Sequence, residues 1–122
     1  MTKNIISLKT TDTLIDASKL LKKHNISSLP VVDKGKAIGI ITTTDMMNMS
    51  SLSEENKHID PWTPITDIMT HPVVTILEED SLKKASQMMQ SKSFHHLIVL
   101  NNNGDLTGVL SSLDLARAFL KD

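Results

Sequence analysis

Apolar residues fall in short blocks that recur in one order along the chain. Residues 5–8 and 73–76 are brief β-branched runs between polar neighbours, the pattern of short strands. Each is followed by apolar residues at positions 14, 17, 20 and 21, or 82, 85, 88 and 89, which form one face of a helix. Asp12/Thr13 and Asp80/Ser81 precede these stretches and are residue types that cap a helix N-terminus. Two apolar strands come next, 29–32 and 37–41 in the first block, 97–100 and 106–110 in the second. The turns between them, 33–36 and 102–105, carry Gly and Asn, which tolerate positive φ and suit a hairpin. A last helix begins near Thr43 or Ser112. In the second block it runs through Arg117 to Leu120, and in the first it ends soon after Met49.

The blocks are one motif written twice. Asp12-Thr-Leu-Ile-Asp-Ala-Ser lies over Asp80-Ser-Leu-Lys-Lys-Ala-Ser at a shift of 68 residues, and Leu29-Pro-Val-Val-Asp33 lies over Leu97-Ile-Val-Leu-Asn101. One extra residue in the Asn101–Asn103 run moves the shift to 69. Gly39-Ile-Ile-Thr-Thr-Thr-Asp45 then lies over Gly108-Val-Leu-Ser-Ser-Leu-Asp114. The organisation is therefore repeat one over 1–49, a linker over 50–64, and repeat two over 65–122. The linker is rich in Ser, Glu, Asn and Pro and reads as surface, with Trp62 as its apolar anchor; residues 65–70 read as a short helical lead-in to the second copy. Neither copy is long enough to bury an adequate core alone, so the two are expected to pack into one pseudo-symmetric unit. The order β-α-β-β-α, twice, predicts an α+β (mixed α/β) fold.

Composition narrows the function. The 122 residues are 39% apolar, enough for one compact domain, and a net charge of −1 offers neither a basic stripe for nucleic acid nor a polybasic membrane anchor. No run of about 18 apolar residues and no secretory leader is seen, so a cytoplasmic protein is expected. Without cysteine there are no disulfides, thiolate metal sites or cysteine nucleophiles. Four glycines form neither a Walker A loop nor a G-x-G-x-x-G turn, and no nucleophile–base–orienter set can be assembled from spacing. With one Trp, no Tyr and two Phe there is no platform for stacking single-stranded nucleic acid. His58, Asp60, His71, His95 and His96 show no metal-ligand spacing, so no metal is expected.

The repeated S/T-x-x-D, Thr42 to Asp45 and Ser111 to Asp114, has two readings. It resembles a capping box with Asp in place of Glu, and capping alone would explain it. It also places a hydroxyl and a carboxylate where a strand hands over to a helix N-terminus, a natural seat for phosphate.

Asp-Ile-Met-Thr-x-x-Val-Val-Thr (67–75), Leu-Pro-Val-Val-Asp and Gly-Ile-Ile-Thr-Thr-Thr-Asp, with their counterparts, resemble the CBS domain family over residues 4–119. A tandem pair of this kind is a Bateman module. The resemblance implies a non-catalytic regulatory sensor that binds an adenosyl ligand (AMP, ADP, ATP, S-adenosylmethionine or an NAD-type molecule) in clefts between the repeats. It also implies a homodimer and a regulated partner protein, with the nucleotide acting as a signal and no cofactor required. Asp45 and Asp114 match the family's ribose-binding Asp. Thr42 and Ser111 would contact phosphate or ribose, and Val73, Val74 and Thr75 would line the adenine.

His95-His96 stands where the first copy has Ser27-Ser28. Neighbours on a strand point to opposite faces, so only one imidazole can look into the cleft, and His96 is the candidate. Arg117 either faces a phosphate or pairs with Asp114 at i,i+3. The alternative to a sensor is a ligand-free dimerisation scaffold. The helix carrying Leu113, Leu115, Ala116, Phe119 and Leu120 would serve as its dimer face or as internal core.

Overall fold

The computed structural model, which describes residues 5–46, 60–92 and 95–120, folds the two sequence copies into two three-stranded sheets with their helices. The mixed α+β class expected from the pattern is therefore present. Most of the stretch between the copies, including His58, and the end of the helix expected near residue 49 lie outside the described residues. The chain divides into two compact units, one over 6–72 and one that joins the residues up to Ile5 with those from residue 73 onward.

In the first unit β1 (Leu8–Lys9) runs parallel to the central strand β2 (Ser28–Asp33), which pairs antiparallel with β3 (Lys36–Thr42). In the second, β4 (Thr75–Leu77), β5 (His96–Leu100) and β6 (Leu106–Ser111) repeat that order. The first strand of each sheet is shorter than the apolar run that encodes it. Pro30 explains the difference between the copies. Ile98 donates its N–H to the carbonyl of Val74 (2.9 Å), whereas Pro30, its counterpart in β2, has no N–H to donate. Parallel pairing in the first sheet therefore starts only at Leu8, opposite Val31, while the second starts at Thr75, opposite Ile98.

The helices α1 (Leu14–His24) and α2 (Leu82–Lys92) each bury one stripe. The first core joins Leu8, Ala17, Leu21, Leu29, Val31, Ile41 and Ile65; the second joins Ile76, Ala85, Met89, Leu97, Val99, Leu110 and Leu115. Six of the seven positions correspond under the repeat shift, so each copy solves the same packing problem with a slightly different set of side chains. Helix α1 ends on Asn25 in the left-handed region (φ 51°), with the Ile26 N–H returning to the carbonyl of Leu21 at 3.1 Å.

The one-residue insertion has a turn-type reason. Lys34 and Gly35 both have positive φ (51° and 80°), the two-residue loop whose twist matches the flanking strands. The second hairpin uses a longer loop in which Gly104 takes φ 85° and Asn101 Oδ1 accepts the N–H groups of Asn103 (2.9 Å) and Asp105 (3.0 Å).

Residues 60–70 pack on the first sheet. The carbonyls of Thr63 and Pro61 accept the first two N–H groups of α1, from Leu14 and Ile15, both at 2.9 Å, which a helix start would otherwise leave unpaired. Ile65 lies in the first core, and Thr70 exchanges two backbone hydrogen bonds with Ile40 of β3. The expected helical lead-in is a single 3₁₀ turn, Ile65–Asp67. Trp62 is not the anchor expected of it. Asp60 ties the turn through its own backbone N–H to Thr63 Oγ1 and through Oδ1 to the Trp62 N–H, which buries Thr63 and leaves the indole 71% exposed.

Both helix starts carry a carboxylate held below its ordinary pKa. Asp16 accepts the N–H (2.9 Å) and hydroxyl (3.1 Å) of Thr13, and Asp80 accepts the Leu77 N–H (3.0 Å) and the Lys84 ammonium (3.2 Å). The backbone bond is the main cause in each case. Because the folded pKa lies below the unfolded one, the ionised carboxylates stabilise the fold above the unfolded pKa, and that stabilisation is lost as pH falls through the folded value. Denaturant midpoints should therefore be flat from about pH 7 to 5 and fall below about pH 4. In the Asp16→Asn/Asp80→Asn double variant the fall should be shallower. An unchanged pH profile in that variant would show that other carboxylates govern acid unfolding.

Candidate functional site

At the end of β3 and of β6 the chain leaves the sheet and turns into a helix within one residue. The Thr43 N–H donates to the carbonyl of Ser27 (2.9 Å) and the Ser112 N–H to the carbonyl of His95 (2.8 Å). These bonds flank the cross-strand pairs Ser28–Thr42 and His96–Ser111, making both the close, non-hydrogen-bonded kind. The N–H groups of Thr42 and Ser111 therefore point away from the central strand and are open to a side-chain acceptor.

Asp45 and Asp114 supply it. Thr42 donates its N–H to Asp45 Oδ2 at 2.9 Å, and Thr42 Oγ1 receives the Asp45 N–H at 3.1 Å. Ser111 donates its N–H to Asp114 Oδ2 at 2.8 Å, and Ser111 Oγ receives the Asp114 N–H at 3.1 Å. The capping box is thus real in both copies. Among the described residues, Oδ1 of each aspartate accepts no hydrogen bond, so capping uses half of each carboxylate. Both side chains are half-buried. The positive end of the following helix, which begins at residues 43–46 in the first copy and is α3 (Ser112–Leu120) in the second, meets the same carboxylate.

The other candidates divide. His96 is half-buried at the start of β5 and shares a sheet face with Ser111, whereas His95 is exposed and contributes its backbone carbonyl. Val73 and Val74 are half-buried ahead of β4, with Val74 against the second core, and Thr75 is exposed on it. Arg117 is exposed on α3, and among the described residues it forms no ion pair with Asp114. The helix face named from the sequence is split: Leu115 is core, Ala116 is exposed, and Leu113 is 57% exposed. No cluster of metal-ligating side chains occurs among the described residues, and no helix there is long and apolar enough to cross a membrane.

Two supports of the site escape a reading of side chains alone. The carbonyls of Ser27 and His95 fix the handover, and their signal is the register of the hairpin. The Gly39 opening of the repeated motif is filled by Met69, whose Cγ lies 2.8 Å from where a β-carbon would stand.

The CBS domain family model matches residues 1–51 and again 65–121. An uncharacterized 17.7 kDa protein of Acidianus ambivalens is 35% identical over 120 residues, covering 98% of this chain and 70% of the relative. A protein with CBS domains from Burkholderia ambifaria MC40-6 has a solved structure that superposes with a TM-score of 0.85 at 29% identity, over 98% of this chain and 85% of that one. The CBS domain pair of protein MJ0100, solved in complex with 5′-methylthioadenosine and S-adenosyl-L-methionine, is 29% identical with a TM-score of 0.81 over 97% of this chain and 93% of that one.

Proposed function

Because the chain belongs to the CBS domain family and carries the domain in tandem, we propose that it is a non-catalytic regulatory module that binds an adenosyl ligand and signals its occupancy to a partner protein. The observation that carries this reading is the solved pair at 29% identity that holds two adenosyl compounds. The strand-to-helix handovers agree with it. Each offers a carboxylate oxygen not used by the cap, suited to a ribose hydroxyl, beside the positive end of a helix, suited to phosphate or another electron-rich group. Thr42, Asp45, Ser111 and Asp114 are the polar contacts of this reading, with His96 and Arg117 toward the phosphate and Val73, Val74 and Thr75 toward the base. Coupling to the partner is bounded by the ligand's differential affinity for the two conformations it selects between. A homodimer and a cytoplasmic setting complete the reading.

Calorimetry with AMP, ATP, adenosine, 5′-methylthioadenosine and S-adenosylmethionine tests it. At least one should bind, and Asp114→Ala should weaken binding on the order of 10- to 100-fold, the effect of losing a hydrogen bond to a charged group. Asp114→Asn keeps an acceptor for the Ser111 N–H and separates loss of the ligand contact from loss of the cap. A flat response across the panel by folded protein would refute the reading.

The completeness of both capping boxes favours a second reading, in which the repeat is a ligand-free scaffold. On that reading the Asp45→Ala/Asp114→Ala variant loses only about 1 kcal/mol per helix start, and its assembly is unchanged.

A further inference from the structure

The extra residue of the second copy lies in the Asn101–Asn103 run, which neither helix cap uses. It puts Asn103 directly before Gly104 in the turn between β5 and β6. We propose that Asn103 is a modification site, where the chain converts its own asparagine to a mixture of isoaspartate and aspartate at a rate governed by the hydrogen bonds that Asn101 accepts.

Three features of the dipeptide favour the reaction. Asn102, Asn103 and Gly104 are exposed, so water and hydroxide reach them. The Asn103 side-chain amide makes no hydrogen bond among the described residues, which leaves its carbonyl carbon open to a nucleophile. Gly104 has no side chain to obstruct its own nitrogen, and nothing lies within 4 Å of where a β-carbon would stand. The Gly104 nitrogen gives its proton to solvent base and attacks Cγ of Asn103. The new N–Cγ bond closes a five-membered imide, the Cγ–Nδ2 bond breaks, and Nδ2 leaves with a proton as ammonia. Water then opens the imide at either carbonyl, giving aspartate or isoaspartate with no change of oxidation state.

The folded turn slows the first step. The Gly104 N–H donates to the carbonyl of Asn101 (3.0 Å), and Asn101 Oδ1 accepts the N–H groups of Asn103 (2.9 Å) and Asp105 (3.0 Å). The nitrogen attacks only when this clasp opens, so the rate follows local opening of the turn and not unfolding of the sheet. The matching turn of the first copy places Lys34 before Gly35 and has no amide to lose, and Asn25 precedes Ile26, whose branched side chain hinders approach. Each conversion adds a carboxylate two residues from Asp105 to a chain of net charge −1, and the isoaspartate form lengthens the turn by a backbone methylene.

Incubation of the full chain at mildly alkaline pH, followed by peptide mapping with mass spectrometry, tests the site. The peptide containing Asn103 should gain the mass that separates a hydroxyl from an amino group and resolve into two species, one of them labelled by an isoaspartate-specific methyltransferase. The excised peptide gives the rate without the clasp, and the folded chain should react more slowly. Asn101→Ala removes two accepted hydrogen bonds and should speed the folded chain about tenfold. Asn101→Asp keeps both acceptors and should stay near the original rate, and Asn103→Gln, whose ring would need six members, should stop the conversion. A folded chain whose Asn103 is intact after the excised peptide has fully converted overturns the site. Conversion at a rate that Asn101→Ala leaves unchanged, with circular dichroism unaltered, overturns the control by Asn101.

Discussion

Leu97→Ala should lower the free energy of unfolding by about 3 kcal/mol, among the largest effects of any single truncation in the second unit. Leu97 is fully buried on the central strand, surrounded by Ile76, Ala85, Met89, Val99, Leu110 and Leu115. Alanine there removes the transfer energy of the side chain and leaves a cavity that flanking β-strands, held by their ladders, cannot close. Against a typical stability of about 5–15 kcal/mol the loss is large enough to populate unfolded protein at modest temperature. The denaturant midpoint should fall with the slope unchanged. Leu113→Ala serves as the control: that side chain is 57% exposed, and its removal should stay within about 0.5 kcal/mol. Equal losses in the two variants would mean that Leu113 is covered in solution.

Gly39→Val should destabilise by about 2–3 kcal/mol, for the opposite reason. A β-carbon at Gly39 would lie 2.8 Å from Met69 Cγ and 3.2 Å from its Cβ, and would overlap the sulfur as well. Met69 follows the 3₁₀ turn that inserts Ile65 into the first core, and Thr70 beside it is paired with Ile40, so the segment cannot withdraw without losing both. Gly39→Ala should be milder, since the thioether can change rotamer. Adding Met69→Ala to Gly39→Ala should recover part of the loss, with a coupling of about 0.5 kcal/mol or more in a double-mutant cycle. Strict additivity would show that the glycine is needed for backbone reasons instead.

The sequence made the repeated parts of the fold legible because repetition reports packing. Ala17, Leu21, Leu29 and Ile41 and their counterparts share a role in two cores; helical periodicity places Ala17 and Leu21 on one face, and the repeat matches the apolar strands that carry Leu29 and Ile41. The handover at Thr42 and Ser111 was legible for the same reason, since hydroxyl and carboxylate three residues apart encode a local hydrogen-bond pattern. What stayed hidden depends on partners distant in sequence. The late start of β1 follows from a missing N–H on Pro30, a residue of the neighbouring strand. The exposure of Trp62 follows from Asp60 and Thr63 closing a turn that spends the burial on Thr63. Leu113 and Leu115 look alike as apolar residues two apart, but a helix turns them to different sides, and only the strands beneath decide which is covered.

The exposed indole also governs how the protein can be observed. Trp62 is the sole tryptophan and there is no tyrosine, so near-ultraviolet emission comes from a ring already in water in the folded state. Loss of either core will scarcely alter that emission, and far-ultraviolet circular dichroism is the signal that follows folding. The same scarcity leaves little protein absorbance beneath that of adenine, so a purified sample that carries a nucleoside from its host should reveal it in a simple absorption spectrum.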